Sequence, residues 1–484
     1  MATTGWPALP PIDDPLELTK AALAGRRAWL VGGAVRDRLL GMRTGDLDVV
    51  LDGEPREAAH ALARTAQAAA FSLSEEYGGW RVVARDGAWQ VDFERLRGAS
   101  LEEDLALRDF TVNAIAAPLG EPGAAPGEAI DPLGGLEDLA RRRLREAGPD
   151  AFAEDPLRVL RLVRLAVELD LAADADTRAH AQAHAVALGK VAPERIFMEL
   201  CRIIDAPGAV AGLELMGEVG ATAVVLPELE ALHDVTQSHY HHRDVYGHTL
   251  EVLEQVIALQ QEPAAALVGD GDLYREVLTA LLAEPLADGL TRGGALRWGA
   301  LLHDAAKPLT RDVRPSDGRV TFIGHDALGA QLASEVLARL RASGRLRAHV
   351  AALVRNHLRL GFLVHEPQPL ARRTVFAYLR VCEPVEVDVT LLSVADRLAT
   401  RGERAQEAID AHLRLARRML ADAVEWRAEG PPRPLLRGDE LASELRIAPG
   451  PHLGELLEEL LRAQYAGEIA TREDALAYAR AHAG

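Results

Sequence analysis

Hydrophobic positions along the chain follow two different periods. Over roughly the first hundred residues, short apolar runs of strand character alternate with helical spacing: AWLV at 28–31, LDVVL at 47–51, WRVVAR at 80–85 and WQVDF at 89–93, with helices around 34–41 and 55–69. That alternation predicts a small α/β head with a mixed sheet. Beyond the Gly/Pro-rich loop 119–127, and especially past Pro149, strand signals nearly vanish. Segments such as DPLRVLRLVRLAVEL repeat apolar residues at helical intervals, so the remainder is predicted to be all-helical and the chain as a whole α+β. Breaks near Pro227, over 284–294 and at GPPRP 430–434 divide the helical part. The expected units are a head at 1–146, a helical neck at 147–230, a third domain at 231–432 and a helical tail at 433–484. No repeat of the period that marks a solenoid is present.

The 484 residues exceed what one core organises, in keeping with several domains. Cys201 and Cys382 are the only cysteines, which excludes a disulfide framework and a cysteine-ligated zinc site. No apolar run is long enough to span a membrane, and the opening MATTGWPALPPIDDP lacks the basic and apolar regions of a signal peptide, so the expected location is the cytoplasm. The formal charge of −19 argues against indiscriminate coating of nucleic acid. It leaves local basic patches open: Arg141, Arg142, Arg143, Arg145, Arg158, Arg161 and Arg164 crowd one stretch, either as an RNA-facing cluster or as a solvated helical face.

Three features of the head carry candidate chemistry. LVGGAVRDRLLG sets Gly32 and Gly33 between a strand and a helix, where backbone N–H groups can approach an anion, although such a pair is commonly only a turn. In GDLDVV, Asp46 and Asp48 are two apart on a strand and project from one face. Two such carboxylates repel unless a cation such as Mg²⁺ lies between them, the alternative being a solvated edge strand. Asp92, in VDFERLR, lies on another strand and could add the further carboxylate of a two-metal site.

These segments, together with RDFTVNAIA at 108–116, DPLGGLEDL at 131–139, EDPLRVLRLVR at 154–164 and PERIFMEL at 193–200, carry a family resemblance. In order and spacing the first two hundred residues resemble the class II tRNA nucleotidyltransferases and bacterial poly(A) polymerases. The resemblance implies that Asp46 and Asp48 hold Mg²⁺ with Asp92 as third carboxylate, and that Gly32, Gly33 and Arg36 hold a triphosphate. Arg108, Asp109 and Asn113 would position the ribose and the reacting end. Asp155, Arg158 and Arg161, expected on one helix face, would select the base, because cytosine and adenine each offer an amine beside a ring acceptor. Leu165 departs from the Phe common there, and only a packing change is expected.

Members of this family that add the whole CCA triplet resemble one another in a flexible loop of a dozen or more residues between the third-carboxylate strand and the S-L-x-E-D-L segment. Here Leu96 and Arg97 are followed almost at once by Gly98, Ala99 and Ser100-Leu101-Glu102-Glu103-Asp104-Leu105. That shortening resembles the CC-adding enzymes and implies tRNA and CTP as substrates, with a separate A-adding enzyme completing the end. A loop bridging head and neck could act as the lever that reorients the base-reading side chains for ATP. The alternative is a compensated deletion in a full CCA-adding enzyme that also uses ATP. No additional basic arm precedes the Gly-Gly turn, which disfavours a poly(A) polymerase.

A second constellation starts at YHHRDVYGHTLEVL and continues through GALLHDAAKP, FIGHD, RNH and SVADR. His248, His303, Asp304 and Asp396 resemble the H…HD…D pattern of the HD phosphohydrolases, which implies one divalent ion, with His325 and His357 as further candidates. Mixed imidazole and carboxylate ligands suit a transition metal better than Mg²⁺, and either could activate water toward a phosphoester. HD domains fused to such transferases resemble enzymes for 2′,3′-cyclic phosphates or 2′-nucleotides. The tail resembles the terminal helices of the same family, and its GPHLGELL segment could present N–H groups to RNA or be ordinarily capped. Two readings compete with the transferase: a metal phosphohydrolase whose N-terminal domain only docks RNA, and a nucleotide-sensing regulator without turnover.

Overall fold

The computed structural model of the chain describes residues 15–23, 25–73, 78–120, 122, 127–237, 243–262, 271–400 and 405–482. The opening segment, most of the Gly/Pro-rich loop 119–127 and the YHH of 240–242 lie outside them. Two compact units result, Met1–Val191 with Glu214–Val224, and Ala192–Leu213 with Val225–Gly484.

In the first unit, β1 (Ala28–Val31), β2 (Asp46–Leu51), β3 (Ala69–Ser72), β4 (Trp80–Val83), β5 (Gln90–Arg95) and β6 (Ala116–Pro118) form one sheet in the order β3-β4-β5-β2-β1-β6. Only β2 and β5 pair in parallel, so the sheet is mixed. Alternation assigns the faces. Leu47, Val49 and Leu51 of β2, with Val91 and Phe93 of β5, pack on Leu16, Ala58 and Leu62 of α1 (Pro15–Leu23) and α3 (Pro55–Ala66). Val50 turns the other way, toward Trp29, Val31 and the residues Leu101 and Leu105 of a short helix α4 (Leu101–Ala106). Because the side-chain period of a strand is two, Asp46 and Asp48 share the Val50 face and Asp92 lies opposite the Phe93 side. The run expected to be helical to 69 ends at Ala66, where Gln67 takes a left-handed conformation, and Ala69 opens an edge strand. The Ala-rich sequence there carries no period of its own, and pairing with β4 decides it.

The second unit is helical, apart from two-stranded ladders of two or three residues per strand. The helices Val245–Gln261, Arg292–Leu302, Gly344–Asn356 and Glu386–Ala399 pack around one another, and Gly344–Asn356 also packs on His325–Arg339. The last three helices, Gly438–Leu445, Pro451–Tyr465 and Arg472–His482, bury Leu441, Leu456, Leu460, Ala475 and Ala479 in a cluster of their own. Arg373 ties the helix Arg372–Cys382 to this cluster through Glu459, Glu468 and Tyr478. Cys201 and Cys382 are buried and unpaired. Among the described residues no helix is long and apolar enough to cross a membrane.

Candidate active site and metal centre

The carboxylate face of the head is built by strand register. Asp48 stands directly opposite Asp92 in the parallel pairing of β2 with β5, and Asp46 opens β2 on the same face. Although the Asp48 residue keeps an exposed surface, protein mass around its carboxylate, followed by the nearby Asp92, Glu94 and Asp46, raises its pKa to about 6 against the pull of Arg108. Like charges crowded in this way make a cation favourable. Asp92 already has a partner: Arg81 donates Nε–H to one of its oxygens at 2.7 Å and Nη2–H to the other at 2.6 Å.

Gly32 and Gly33 join β1 to α2 (Gly33–Leu39) as expected. Gly32 has φ +70, and a Cβ there would lie 3.0 Å from Asp48 Oδ2 and 3.1 Å from Arg108 Nη1. Glycine is therefore required both by the backbone and by the approach of the acidic and basic side chains. Arg108 is held by the buried Asp104, which accepts from its Nη2 at 3.1 Å. Arg36 donates to Asn113 Oδ1 at 2.5 Å, and Asn113 in turn donates to Asp109 Oδ1 at 2.9 Å. The other oxygen of Asp109 accepts from Arg161 Nε at 2.9 Å. Burial would push the Asp109 carboxyl up, but Arg161 and Asn113 outweigh it and hold it at about 2. Gly32, Arg36, Asp48, Arg108, Asp109, Asn113 and Arg161 thus form one continuous constellation with Asp92 beside it.

Asp155 and Arg158 fall outside that set. The expectation of one helix carrying Asp155, Arg158 and Arg161 needs correction: α6 (Ala151–Glu154) stops first, and α7 (Arg158–Leu169) begins later. Asp155 has the extended backbone that a following proline imposes, and its carboxylate accepts from Leu157 N at 3.1 Å. Arg158 donates to the carbonyls of Leu107 and Ala151 at 2.8 and 3.1 Å. The arginine-rich stretch is engaged throughout: Arg141 pairs with Glu137, Arg143 and Arg145 with the buried Asp138, and Arg164 with Glu168, while Arg142 reaches the Leu169 carbonyl. Arg143, Arg145 and Arg164 brace the fold, while Arg141 and Arg142 keep most of their surface exposed. Asp138 also accepts from Thr111 at 2.6 Å, and Gly135 lets α5 (Gly135–Ala140) lie where a Cβ would strike the Thr111 carbonyl. Arg81, Asp104 and Asp138 were missed by sequence reasoning. For Arg81 a signal existed: counting back from the Asp86-Gly87 turn in a β4–β5 hairpin sets Arg81 opposite Asp92.

Ser100 caps α4, accepting from Glu103 N at 3.2 Å, while Glu103 accepts from Ala99 N at 2.7 Å and Asp104 from Arg97 N at 3.0 Å. The connection from β5 to α4 is therefore five residues long and pinned at three of them. A cavity of about 600 Å³ lies along it, lined by Arg27, Asp52, Arg95 and Ser100, and none of the candidate site residues opens into it.

In the second unit, four histidines and two aspartates converge. Ligand atoms of His248, His303 and Asp304 lie within 4.8 Å of one another, as do those of Asp304, His325 and His357. Asp396 accepts from His248 Nε2 at 3.0 Å. His303, His325 and His357 share one local device: Nδ1 donates to the carbonyl three residues earlier, at Ala300, Phe322 and Val354, over 2.7, 2.6 and 2.7 Å. A carbonyl can only accept, so Nδ1 carries the proton and Nε2 presents a lone pair when the ring is neutral. All three Nε2 atoms are buried without a well-aligned hydrogen bond, those of His303 and His325 lying 3.1 and 3.4 Å from the Asp304 carboxylate. Burial, then the charge of His303, pushes His357 down to about 4, which keeps its lone pair free at neutral pH. Burial alone would lower His303 too, but Asp304 pulls it above its ordinary value, and His303 with Lys307 holds buried Asp304 well below its own. Lys307 Nζ sits 2.6 Å from Asp304 Oδ2. Buried lone pairs and carboxylates around one point fit a divalent ion with imidazole and oxygen ligands, and the hydrogen-bonded Nδ1 atoms are the outer contacts such ligands use. A cavity of about 450 Å³ walled by Phe322, Ile323, Leu358 and Phe362 reaches this centre at His325 and Lys307.

Comparison with known proteins identifies the domains in which the two centres lie. Residues 28–99 and 84–145 match the family model of the poly A polymerase head domain, 170–232 that of the probable RNA and SrmB-binding site of polymerase A, and 245–401 the HD domain. The chain is 37% identical to the A-adding tRNA nucleotidyltransferase of Deinococcus radiodurans, covering 93% of this chain and 94% of that one. It is 36% identical to the CC-adding tRNA nucleotidyltransferase of Thermus thermophilus, covering 93% and 92%. Among solved structures, the apo form I of a CCA-adding enzyme superposes with a TM-score of 0.62 at 18% identity, over 96% of this chain and 93% of that one. The Thermotoga maritima CCA-adding enzyme complexed with tRNA superposes with a TM-score of 0.60 at 18% identity, over 97% and 94%. The chain belongs to the tRNA nucleotidyltransferase and poly(A) polymerase family and is an enzyme of its tRNA nucleotidyltransferase branch with a fused HD domain.

Proposed function

We propose that this enzyme adds two cytidines from CTP to the 3′-hydroxyl of tRNA, releasing pyrophosphate, and leaves the terminal adenosine to a separate A-adding enzyme. The observation that carries this reading is the five-residue connection between β5 and α4, pinned through Ser100, Glu103 and Asp104. Such a segment has no slack to swing with the substrate, and the Arg161 guanidinium is fixed by Asp109. A base-reading surface held in one setting suits one base. The similar identities to an A-adding and a CC-adding relative do not choose between them, and the choice of cytidine is supported by the likeness of the short connection to that of CC-adding enzymes.

In this reading residues 1–146 are the catalytic head, 147–230 the neck, 231–432 the HD domain and 433–484 the tail. Asp46 and Asp48, with Asp92, would hold Mg²⁺, which supplies charge neutralisation at the phosphates and a more acidic 3′-hydroxyl. Gly32, Gly33 and Arg36 contact the triphosphate, and Arg108, Asp109 and Asn113 set the ribose and the reacting end. Arg161 reads the base edge from its place on Asp109. Asp155 and Arg158 join it only if nucleotide binding draws them from their present partners. A tRNA substrate in a bacterial-type enzyme of this kind implies the cytoplasm.

The test offers tRNA ending at the discriminator base, with Mg²⁺ and each nucleoside triphosphate separately and together, and sizes the products. The expected result is two added cytidines and no adenosine. Addition of C, C and A makes it a full CCA-adding enzyme, while extension only of tRNA already ending in CC, and only by ATP, makes it A-adding. Either result overturns CC-addition.

A second activity is favoured by the buried lone pairs of His303, His325 and His357. The HD centre would hold a divalent ion, a transition metal or Mg²⁺, and hydrolyse phosphoesters at RNA or nucleotide ends.

A further inference from the structure

A second cavity meets the histidine centre. It measures about 170 Å³, shares His357 and Asp396 with the centre, takes its polar groups from His365, Ser393, Arg397, Thr400 and His412, and has apolar walls at Leu358, Val364 and Ala408. That volume accommodates a tetrahedral phosphate. Arg397 directly follows Asp396 on the helix Glu386–Ala399. Among the described residues no carboxylate pairs with its guanidinium, and its Nε is buried without a hydrogen-bond partner. In the head, by contrast, Arg36, Arg81, Arg108 and Arg161 each donate to a side-chain oxygen. A planar cation kept at the wall of a small cavity, with an unused donor beside the hydroxyl and imidazole of Ser393 and His412, is matched by an oxyanion.

The other groups facing the cavity agree. His412 Nε2 lies 3.2 Å from Ser393 Oγ, and burial pushes this imidazole down to about 4, so it stays neutral and can share a proton with the hydroxyl. Asp396 supplies a negative charge that would oppose an anion, and the neighbouring cation site would offset that charge. An anion in the cavity and a divalent ion in the centre should therefore favour each other.

We propose that Arg397, with Ser393 and His412, forms the phosphoryl-binding subsite of the HD centre. The substrate presents its phosphate in this cavity, beside the metal ligands His357 and Asp396. The inference rests on reading the centre as a phosphohydrolase and adds the residue that grips the phosphate.

The experiment uses the full chain loaded with Mn²⁺ or Ni²⁺, a 2′,3′-cyclic nucleotide as substrate and inorganic phosphate as competing ligand, comparing the parent with Arg397→Ala and Arg397→Lys. Loss of a charged hydrogen bond predicts a rise of roughly 10- to 100-fold in both KM and the inhibition constant of phosphate. The turnover number should change far less, metal content should stay the same, and the lysine variant should recover part of the loss. If the alanine variant lowers metal content, melting temperature and turnover together while phosphate inhibition persists, Arg397 is structural and the subsite is wrong. If the parent hydrolyses nothing with any metal, the phosphohydrolase reading fails on its own. Calorimetric titration of the metal-loaded chain with inorganic phosphate then decides the subsite: binding abolished by Arg397→Ala sustains it, and absent or unaltered binding overturns it. Should the alanine variant not fold, the same comparison is made with the lysine variant.

Discussion

Replacing Asp109 by Asn keeps the shape of the side chain while removing the charge that holds Arg161. The carboxyl is buried, with 7% of its side chain exposed, and its pKa of about 2 lies below the ordinary 3.8. At 1.36 kcal/mol per pH unit this corresponds to roughly 2 kcal/mol favouring the ionised form, in the range expected for hydrogen bonds to a charged group. Because the folded pKa is depressed, this contribution is complete above pH 3.8 and is lost only as pH falls toward about 2. Assays near neutrality therefore see the full effect, and mild acid does not mimic the substitution. If the pair serves CTP selection, Asp109→Asn should lower kcat/KM for CTP by about 30-fold, the kinetic equivalent of 2 kcal/mol. Because Arg161→Gln removes the same interaction from the other side, the double variant should be little worse than either single one. The measurement is a double-mutant cycle on kcat/KM for single cytidine addition, with a coupling of at least about 1 kcal/mol expected. Additive effects, with coupling under about 0.4 kcal/mol, would refute the claim that Asp109 acts by holding Arg161.

Asp48 titrates near 6, so below that pH a proton competes with the cation, and half-saturating Mg²⁺ for cytidine addition should rise about tenfold per pH unit. A titration giving the same Mg²⁺ requirement at pH 5.0 and 7.5 would contradict a cation at this carboxylate. His303→Ala with Asp304→Ala should abolish both bound transition metal, measured by elemental analysis, and metal-dependent phosphodiesterase activity, and unchanged activity would remove the HD assignment. Burial depresses His349 and His412 to about 4, so each favours the folded state while neutral; that stability is present above pH 6.5 and lost as pH falls toward 4. Urea midpoints followed by tryptophan fluorescence should drop across that window, with a shallower drop in His349→Gln, whereas parallel pH profiles would show that His349 is not titrating as described.

What the sequence made legible depended on whether a residue's partner lies within reach of a simple period. Strand alternation was enough to set Asp46 and Asp48 on one face, since Leu47, Val49 and Leu51 must turn to the core formed with α1 and α3. The histidine set was legible through its order, but the reason its Nε2 atoms converge was not. For His303, His325 and His357 that depends on Nδ1 meeting a carbonyl three residues earlier, a feature of helix ends and turns. Asp155 was misplaced because helical spacing was counted through Pro156, although the residue before proline is driven to extended backbone. Counting charges likewise could not tell which of the arginines are tied to a buried acid and which stay exposed. Arg143 and Arg145 share Asp138, an acid whose complete burial no local pattern announces.

The links from Arg36 to Asn113, from Asn113 to Asp109 and from Asp109 to Arg161 show why distant motifs behave as one. They run from the Gly-Gly turn to α7, so the group expected on the triphosphate and the group expected on the base share a pair of rigid intermediaries. Asn113 can serve both because its amide donates to Asp109 while its carbonyl accepts from Arg36, a division of roles that a carboxylate or an ammonium could not perform. Asp109 is fixed in turn by the backbone N–H of Phe110 at 2.8 Å, and the turn carrying both is braced through Thr111 and Asp138. A triphosphate that reorients Arg36 would therefore act on Arg161 through defined hydrogen bonds, giving the base reader a physical means of sensing that the nucleotide is seated.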